Sequence, residues 1–355
     1  MVPFREVPFA GPMPRKSDVL AAAGTAFNKR HVSHGPEVEE FEAALADYFR
    51  VPDHFVVCFD SCTSAMAISH VVLRSSSVAV PCITWNATAN AALLAGCSVV
   101  LLDVDEYLLA KVEDAGESYD TVCPVALYGQ EPEAVYNMHS VFDYAQAFEL
   151  GRVPGASSTC FSFHSLKSVP IGVGGAAIFK YEHHADEARQ VRFHGVQQGR
   201  EPRRQLTVGW KATMPAFAAA MGCVLLEGVT ERYEHRLHVA TQGYDELLDP
   251  KLFQHRKVAD DAYHAYVVRV NNVAEVREEL SEHGIATARY YPALQSQPFW
   301  AREHGQKYEE AMRIGEHLVA LPLHHGMEQE DVEHVAGWVN QVAEPLVDEG
   351  DRMEA

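Results

Sequence analysis

Between residues 55 and 179 short apolar runs alternate with helical stretches, and this alternation restricts the fold more than any other feature of the chain. Residues 55–59, 78–81 and 98–102 are runs rich in valine, leucine and other apolar residues with almost no polar alternation, the pattern of strands buried on both faces. The first run leads through Asp60-Ser61-Cys62-Thr63-Ser64 into a helix carrying Ala65, Met66, Ala67, Ile68 and Val71. The second leads through Thr84-Trp85-Asn86 into a helix ending near Gly96. Strand and helix in repeated succession predict an α/β fold, with a mostly parallel sheet between layers of helices. Two further strands are expected at 121–127 and from Ser140 to an end at Asp143. The dozen or so residues between them are near the minimum for a parallel crossover.

Outside this block the pattern changes. Four prolines before position 15 suggest that residues 1–36 are irregular, and Ser33-His34-Gly35-Pro36 separates them from an amphipathic helix over 37–50, with Val38, Phe41, Leu45 and Tyr48 on one face. A charged helix is expected over 183–193, a polar loop over 197–205, and one long apolar helix over 215–233. From about Leu237 the chain reads as a smaller α+β unit: a helix, a strand over 263–270, a helix over 273–284, an irregular Tyr290-Tyr291-Pro292, and helices near 306–319 and 329–346. The expected division is 1–236 for a large domain and 237–355 for a small one, with an acidic, frayed tail after Pro345.

Charge and cysteine usage narrow the class. The 355 residues carry a net charge of -20, a field that repels nucleic acid and anionic lipid, so any anionic ligand needs a local set of donors. The seven cysteines include no Cys-x-x-Cys pair and lie mostly in apolar runs, as reduced core residues of a cytoplasmic protein do. No signal-like segment and no apolar run of about 18 residues is present, which argues against membrane insertion. His235 and His238 stand one helical turn apart, but without a third ligand nearby they read as surface histidines.

Several side chains point to chemistry. The hydroxyl-rich turn at 60–64 opens a helix, whose first N–H groups are unpaired and attract phosphate; capping by Ser61 or Thr63 is the simpler alternative. Asp143, at the end of an apolar strand, falls on the edge where open α/β sheets bind ligands, or else closes a turn. Asp103-Val104-Asp105 also ends a strand, in the way a glycosyltransferase holds a divalent metal beside a nucleotide sugar, although the pattern alone is weak. Lys167 follows an apolar strand containing Phe161, Ser162 and Phe163 and precedes Gly172, Gly174 and Gly175. It is either a solvated loop residue or a lysine recruited for a Schiff base. A hydroxyl-rich helix start, a tryptophan, an aspartate, a serine and a lysine on one edge match the needs of pyridoxal phosphate. Its aldehyde takes an amine, its ring nitrogen a carboxylate, its phosphate N–H and hydroxyl donors, and its ring an aromatic face.

The stretches 35–42, Ser61-Cys62-Thr63-Ser64-Ala65, 84–90, Leu127-Tyr128-Gly129-Gln130, Asp143-Tyr144-Ala145-Gln146, Phe161-Ser162-Phe163-His164 through Lys167 to Gly174-Gly175, Arg192-Phe193-His194-Gly195, Tyr291-Pro292 and Leu321-Pro322-Leu323-His324 together resemble the DegT/StrS family of sugar aminotransferases. The resemblance runs from about Ser33 to about Val342. It implies the type I fold of aspartate aminotransferase, pyridoxal 5'-phosphate as cofactor, and a homodimer whose sites are shared between subunits. Residue by residue it implies that Lys167 carries the cofactor as a Schiff base, Asp143 pairs with the pyridine nitrogen, Gln146 lies near the phenolic oxygen, Trp85 stacks on the ring, and Thr63, Ser64 and Ser162 hold the phosphate. A lysine at 167, where the dehydratase branch has histidine, favours transamination from an amino acid, with glutamate expected, to a nucleotide-linked keto sugar. Decarboxylation or elimination with the same cofactor is the alternative. Three positions depart from the family pattern. Lys211 or Thr213 stands in for an asparagine that reaches the neighbour's phosphate, Val173 replaces an acidic residue, and Gln295 lies where a histidine is expected. The segment between Asp105 and Asp143 is also short enough to lack one surface helix.

Overall fold

The computed structural model describes residues 5–33, 35–112, 119–133, 138–197, 203–253, 261–304 and 308–346. The middle of the expected polar loop at 197–205, the tail after 346, the start of the helix expected near 306 and His34 of the expected turn lie outside them.

Seven strands form the main sheet: β1 (Val56–Phe59), β2 (Ser77–Pro81), β3 (Ser98–Leu102), β4 (Thr121–Val122), β5 (His139–Asp143), β6 (Ser158–Ser162) and β7 (Gly175–Phe179). Their spatial order is β1-β7-β6-β5-β4-β2-β3, and only β7 runs against the rest. Alternate residues of β1, β5, β6 and β7 feed two separate cores, because successive side chains in a strand point to opposite faces, while Ala79, Val100, Leu102 and Val122 of β2, β3 and β4 form a small cluster of their own. Val57, Phe59, Cys160 and Phe179 enter the core shared with α3 (Cys62–Val72), α4 (Asn86–Leu94) and α5 (Glu182–Val191). Val56, Cys58, Phe142 and Phe161 enter the one shared with α2 (Glu37–Phe49) and α6 (Ala216–Leu226). Burial on both faces accounts for the continuous apolar runs. Each fully buried anchor of α2, such as Phe41 or Leu45, contributes about 1.5–3 kcal/mol.

Two stretches of the resemblance meet in this scaffold. Arg192, just after α5, donates from Nη1 to Glu42 Oε1 of α2 at 2.6 Å, and the same oxygen accepts the Cys58 N–H at 2.7 Å. This buried ion pair ties two helices to the first strand.

Some expectations need correction. Residues 1–36 are not all irregular: α1 (Lys16–Asn28) forms there and packs on α6, since its run of alanines favours helix more than the earlier prolines oppose it. The single helix expected over 215–233 is two, α6 and α7 (Val229–His238), because Gly228 turns left-handed at φ 71°. The strand expected over 121–127 stops at Val122. Pro124 has no N–H to give a ladder, and Leu127–Gly129 closes as a 3-10 turn. Among the described residues no α-helix lies between α4 and α5.

Beyond α7 a π-helical turn (Val239–Tyr244) leads to α8 (Asp245–Leu247), then β8 (Tyr266–Arg269), α9 (Val273–Glu282), α10 (Pro298–His304), α11 (Glu309–Glu316), β9 (Leu318–Leu321) and α12 (Gln329–Val342). The helix expected over 306–319 thus gives way to β9, a buried four-residue strand antiparallel to β8. Both strands share a core with α9 and α12, and Val7 from the N-terminal segment joins it through a bridge to Ile285.

Candidate active site

The parallel strands deliver their carboxyl ends to one rim of the main sheet, and a cavity of about 500 Å³ opens there. Thr63, Trp85, Asp143, Gln146, Ser162 and Lys167 all line it. Two of the residues expected to act with them do not. Ser64 is engaged in the cap of α3, where Ser61 Oγ accepts the Ser64 N–H at 3.1 Å and donates to Ser64 Oγ at 3.1 Å. Ser61 is therefore the cap, and Thr63 is left to line the cavity. Lys211 is exposed, away from the cavity of its own chain, with its backbone bridged to Phe193.

Asp143 ends β5 and is buried. Its Oδ2 accepts the Thr88 hydroxyl at 2.8 Å, and its Oδ1 accepts the Ala145 N–H at 3.0 Å. Thr84 Oγ1 lies 2.9 Å from Thr88 Oγ1 and completes a short chain of hydroxyls at the start of α4. Burial pushes the carboxyl up from its ordinary range, and these two bonds and the Lys167 charge only partly oppose it. The site is therefore short of positive charge at Asp143, and a cation in the cavity would restore the balance.

Lys167 sits in the loop between β6 and β7. Phe163 N–H to Gly174 O (3.0 Å) and Gly172 N–H to Phe163 O (2.9 Å) close the base of that loop. Its position depends on two glycines. Gly174 has φ 118°, and a Cβ on Gly175 would lie 2.3 Å from Cys62 N, so β7 can start this close to the N-terminus of α3 only without a side chain. The Lys167 amine is pushed down to about 8, chiefly by burial and against the opposing pull of Asp143, Cys62 and Glu149. Its Nζ lies 3.4 Å from His264 Nε2.

Gln146 is fixed at both ends: its Oε1 accepts the Tyr128 N–H at 2.8 Å, and its Nε2 donates to the Tyr291 hydroxyl at 3.0 Å. Trp85, in the residue before α4, is 59% exposed while lining the cavity, with its ring 5.7 Å from that of Tyr291. Ser162 Oγ accepts the His164 N–H at 3.4 Å.

Sequence reasoning gave no role to Thr88, Tyr290 or His264. Thr88 had a local signal, lying one helical turn from Thr84. His264 had none, because its partner is about a hundred residues away. The aspartates weighed as a metal site are used internally. Asp105 Oδ1 accepts the N–H groups of Tyr107 (2.9 Å) and Leu109 (2.8 Å), and Asp103 accepts that of Val104 and lies 3.6 Å from the Lys111 amine. His235 and His238 are exposed on α7.

Solved structures share this fold over nearly the whole chain. DesV of S. venezuelae, in complex with a ketimine intermediate, is 24% identical with a TM-score of 0.86 and covers 95% of this chain and 98% of its own. The PLP form of Spr1654 from Streptococcus pneumoniae is 22% identical at TM-score 0.84, covering 95% and 98%. The sugar aminotransferase CalS13 of Micromonospora echinospora is 20% identical at TM-score 0.82, covering 96% and 100%. The family model for DegT/DnrJ/EryC1/StrS aminotransferases matches residues 15–340, and by that match the chain belongs to the DegT/DnrJ/EryC1/StrS aminotransferase family.

Proposed function

We propose that the chain is a pyridoxal-phosphate-dependent sugar aminotransferase, moving an amino group from an amino acid, with glutamate as the expected donor, to a ketone on a nucleotide-linked sugar. One observation carries the reading: a lysine amine, a buried carboxylate and an exposed indole line a single cavity of a size that suits a cofactor and part of a substrate. Family membership supports the reaction type, and CalS13, a sugar aminotransferase, supports the acceptor class.

The cavity fits the cofactor. Asp143, buried and short of positive charge, suits a protonated ring nitrogen, and Trp85 offers a ring face. Thr63, Ser162 and the first N–H groups of α3 suit a phosphate. Gln146, held by Tyr128 and Tyr291, has one amide hydrogen left for a phenolic oxygen. When bound, the cofactor supplies a ring that draws off the electron pair left as a proton leaves the donor's Cα. Lys167, with its amine near 8, is partly uncharged at neutral pH. It can therefore attack an aldehyde carbon and, once displaced, carry that proton. Asp143 stays fixed through the transfer because Thr88 and Ala145 already hold both its oxygens.

Shared sites in a homodimer are part of this reading. The Thr213 hydroxyl is buried with no hydrogen-bond partner, whereas Lys211 is exposed, so Lys211 is the residue we assign to the phosphate of a neighbouring subunit. The division at 236/237 is supported by the separate core around β8 and β9. A cytoplasmic setting is supported by seven unpaired cysteine thiols. No helix among the described residues is long and apolar enough to cross a membrane.

The test begins with an absorbance spectrum of the purified protein given pyridoxal phosphate. We expect Lys167→Ala to abolish the band of the lysine-bound cofactor and all turnover; a variant retaining both sinks the assignment. A screen with glutamate and keto sugars then checks the reaction. If no pair yields 2-oxoglutarate, the chemistry passes to decarboxylation or elimination.

A further inference from the structure

Lys167 belongs to two cavities. Besides the 500 Å³ site it lines a second of about 230 Å³, which His264, Arg232, Arg236 and His325 also line. The amine lies on the His264 side, 3.4 Å from Nε2, at the edge of hydrogen-bond range. His264 is held in place by its own backbone N–H, which donates to Tyr128 O at 2.8 Å, on the same residue whose N–H orients Gln146. Its Nδ1 is buried and has no hydrogen-bond partner.

A lysine that forms and breaks a covalent link in every half-reaction needs a defined position when the link is open. We propose that His264 provides it: Nε2 accepts an N–H from Lys167 whenever that amine is not bonded to the cofactor. This rests on the reading of Lys167 as the cofactor lysine.

The direction of the bond follows from the chemistry of the two groups. An ammonium has only hydrogens to give, so the contact with a protonated Lys167 requires a bare Nε2, with the imidazole hydrogen on Nδ1. Two positive groups in contact repel, so the imidazole facing a protonated Lys167 is the neutral form. Burial, with the nearby charges of Lys167 and Arg236, pushes His264 well below its ordinary value. The other charges acting on the pair are Glu149, which is bonded to Arg236, and Asp143 on the cofactor side; the Cys62 thiol there is pushed up by burial and stays neutral. A neutral amine in the same berth gives one N–H to His264 and keeps its lone pair free for the incoming proton. Once protonated it is held more firmly, because a hydrogen bond from a charged donor is stronger. His264 is thus a positioning residue acting through Lys167.

The test uses the full chain without added cofactor. The rate at which an aryl-fluoride amine reagent labels Lys167 is followed against pH by peptide mass spectrometry, for wild type, His264→Phe and His264→Gln. The wild-type midpoint should fall near 8. Phenylalanine removes the acceptor that favours the ammonium, so its midpoint should drop by roughly one pH unit. Glutamine carries a carbonyl where Nε2 was and should return it to within a few tenths. A phenylalanine variant that titrates like wild type overturns the proposal, as does a glutamine variant that titrates like phenylalanine. Nitrogen-15 spectra of the wild-type imidazole give an independent reading: hydrogen on Nδ1 agrees with the proposal and hydrogen on Nε2 overturns it. Borohydride trapping of pyridoxal phosphate on the wild-type chain separates the two levels. Failure to trap at Lys167 with the expected titration series sinks the cofactor assignment alone. Trapping at Lys167 with an unresponsive titration sinks only the role of His264.

Discussion

Lys167 and Asp143 are a complementary pair of buried charges, each moved toward neutrality by burial and each partly restored by the other. The amine's position near 8 gives a direct expectation for cofactor capture. The attacking species is the free base, so the rate at which the cofactor-free chain takes up pyridoxal phosphate should rise about tenfold per pH unit below 8 and level off above it. Stopped-flow absorbance from pH 6 to 9 would read it, and a flat profile would place the amine elsewhere. Residues of this kind were legible in the sequence because their type carries the chemistry: a lysine after an apolar strand or an aspartate ending one is conspicuous. The sequence does not tell Thr63, which lines the cavity, from Ser64, which is engaged in the cap, because capping and phosphate binding draw on the same residue types at the same turn. His264 was invisible because its meaning lies in a contact made across the fold.

The elements that present these residues differ in how much their sequences reveal. Strands buried on both faces announce themselves by composition, so β1, β2 and β3 were expected nearly where they lie. Whether a helix continues through a glycine is decided by tertiary packing, which is why α6 and α7 were read as one. Two glycines should behave oppositely. Gly175→Ala would drive a methyl into the backbone of Ser61 and Cys62, and we expect a loss of about 1–3 kcal/mol together with weaker cofactor binding. Gly24→Ala, inside α1 with nothing within 4 Å, should gain about 0.5–1 kcal/mol. Thermal melts of both variants would check the pair. α3 also carries a pH dependence. His70 is fully buried, neither ring nitrogen has a hydrogen-bond partner, and burial pushes its pKa down to about 4. An unfolded chain takes up that proton at about 6.5, so stability is intact above 6.5 and falls as the pH drops toward 4, by up to about 3 kcal/mol. His70→Leu should flatten this limb in denaturant titrations across that range; an unchanged slope would mean other groups carry it.

At the scale of the whole molecule, a chain of net charge -20 must gather its anion-binding donors locally, and the proposed homodimer takes one of them from a second copy. This makes a sharp expectation. Lys167→Ala and Lys211→Ala homodimers should each be impaired, yet subunits mixed after mild dissociation should regain roughly one quarter of wild-type turnover, since half the dimers are mixed and each of those has one intact site. No recovery in a demonstrably mixed population would place Lys211 outside the neighbour's site. The overall architecture was legible early, but the small β8–β9 sheet was only half seen. β9 hides between two helices, and four apolar residues there fit either period. The reversed strand β7 has one more effect. Because it runs back along β6, the twelve residues from 163 to 174 leave and rejoin the sheet at the same rim. Lys167 therefore rides on an arch with both feet on one sill, and lengthening or shortening either foot would shift its amine relative to a carboxylate that has no freedom to follow.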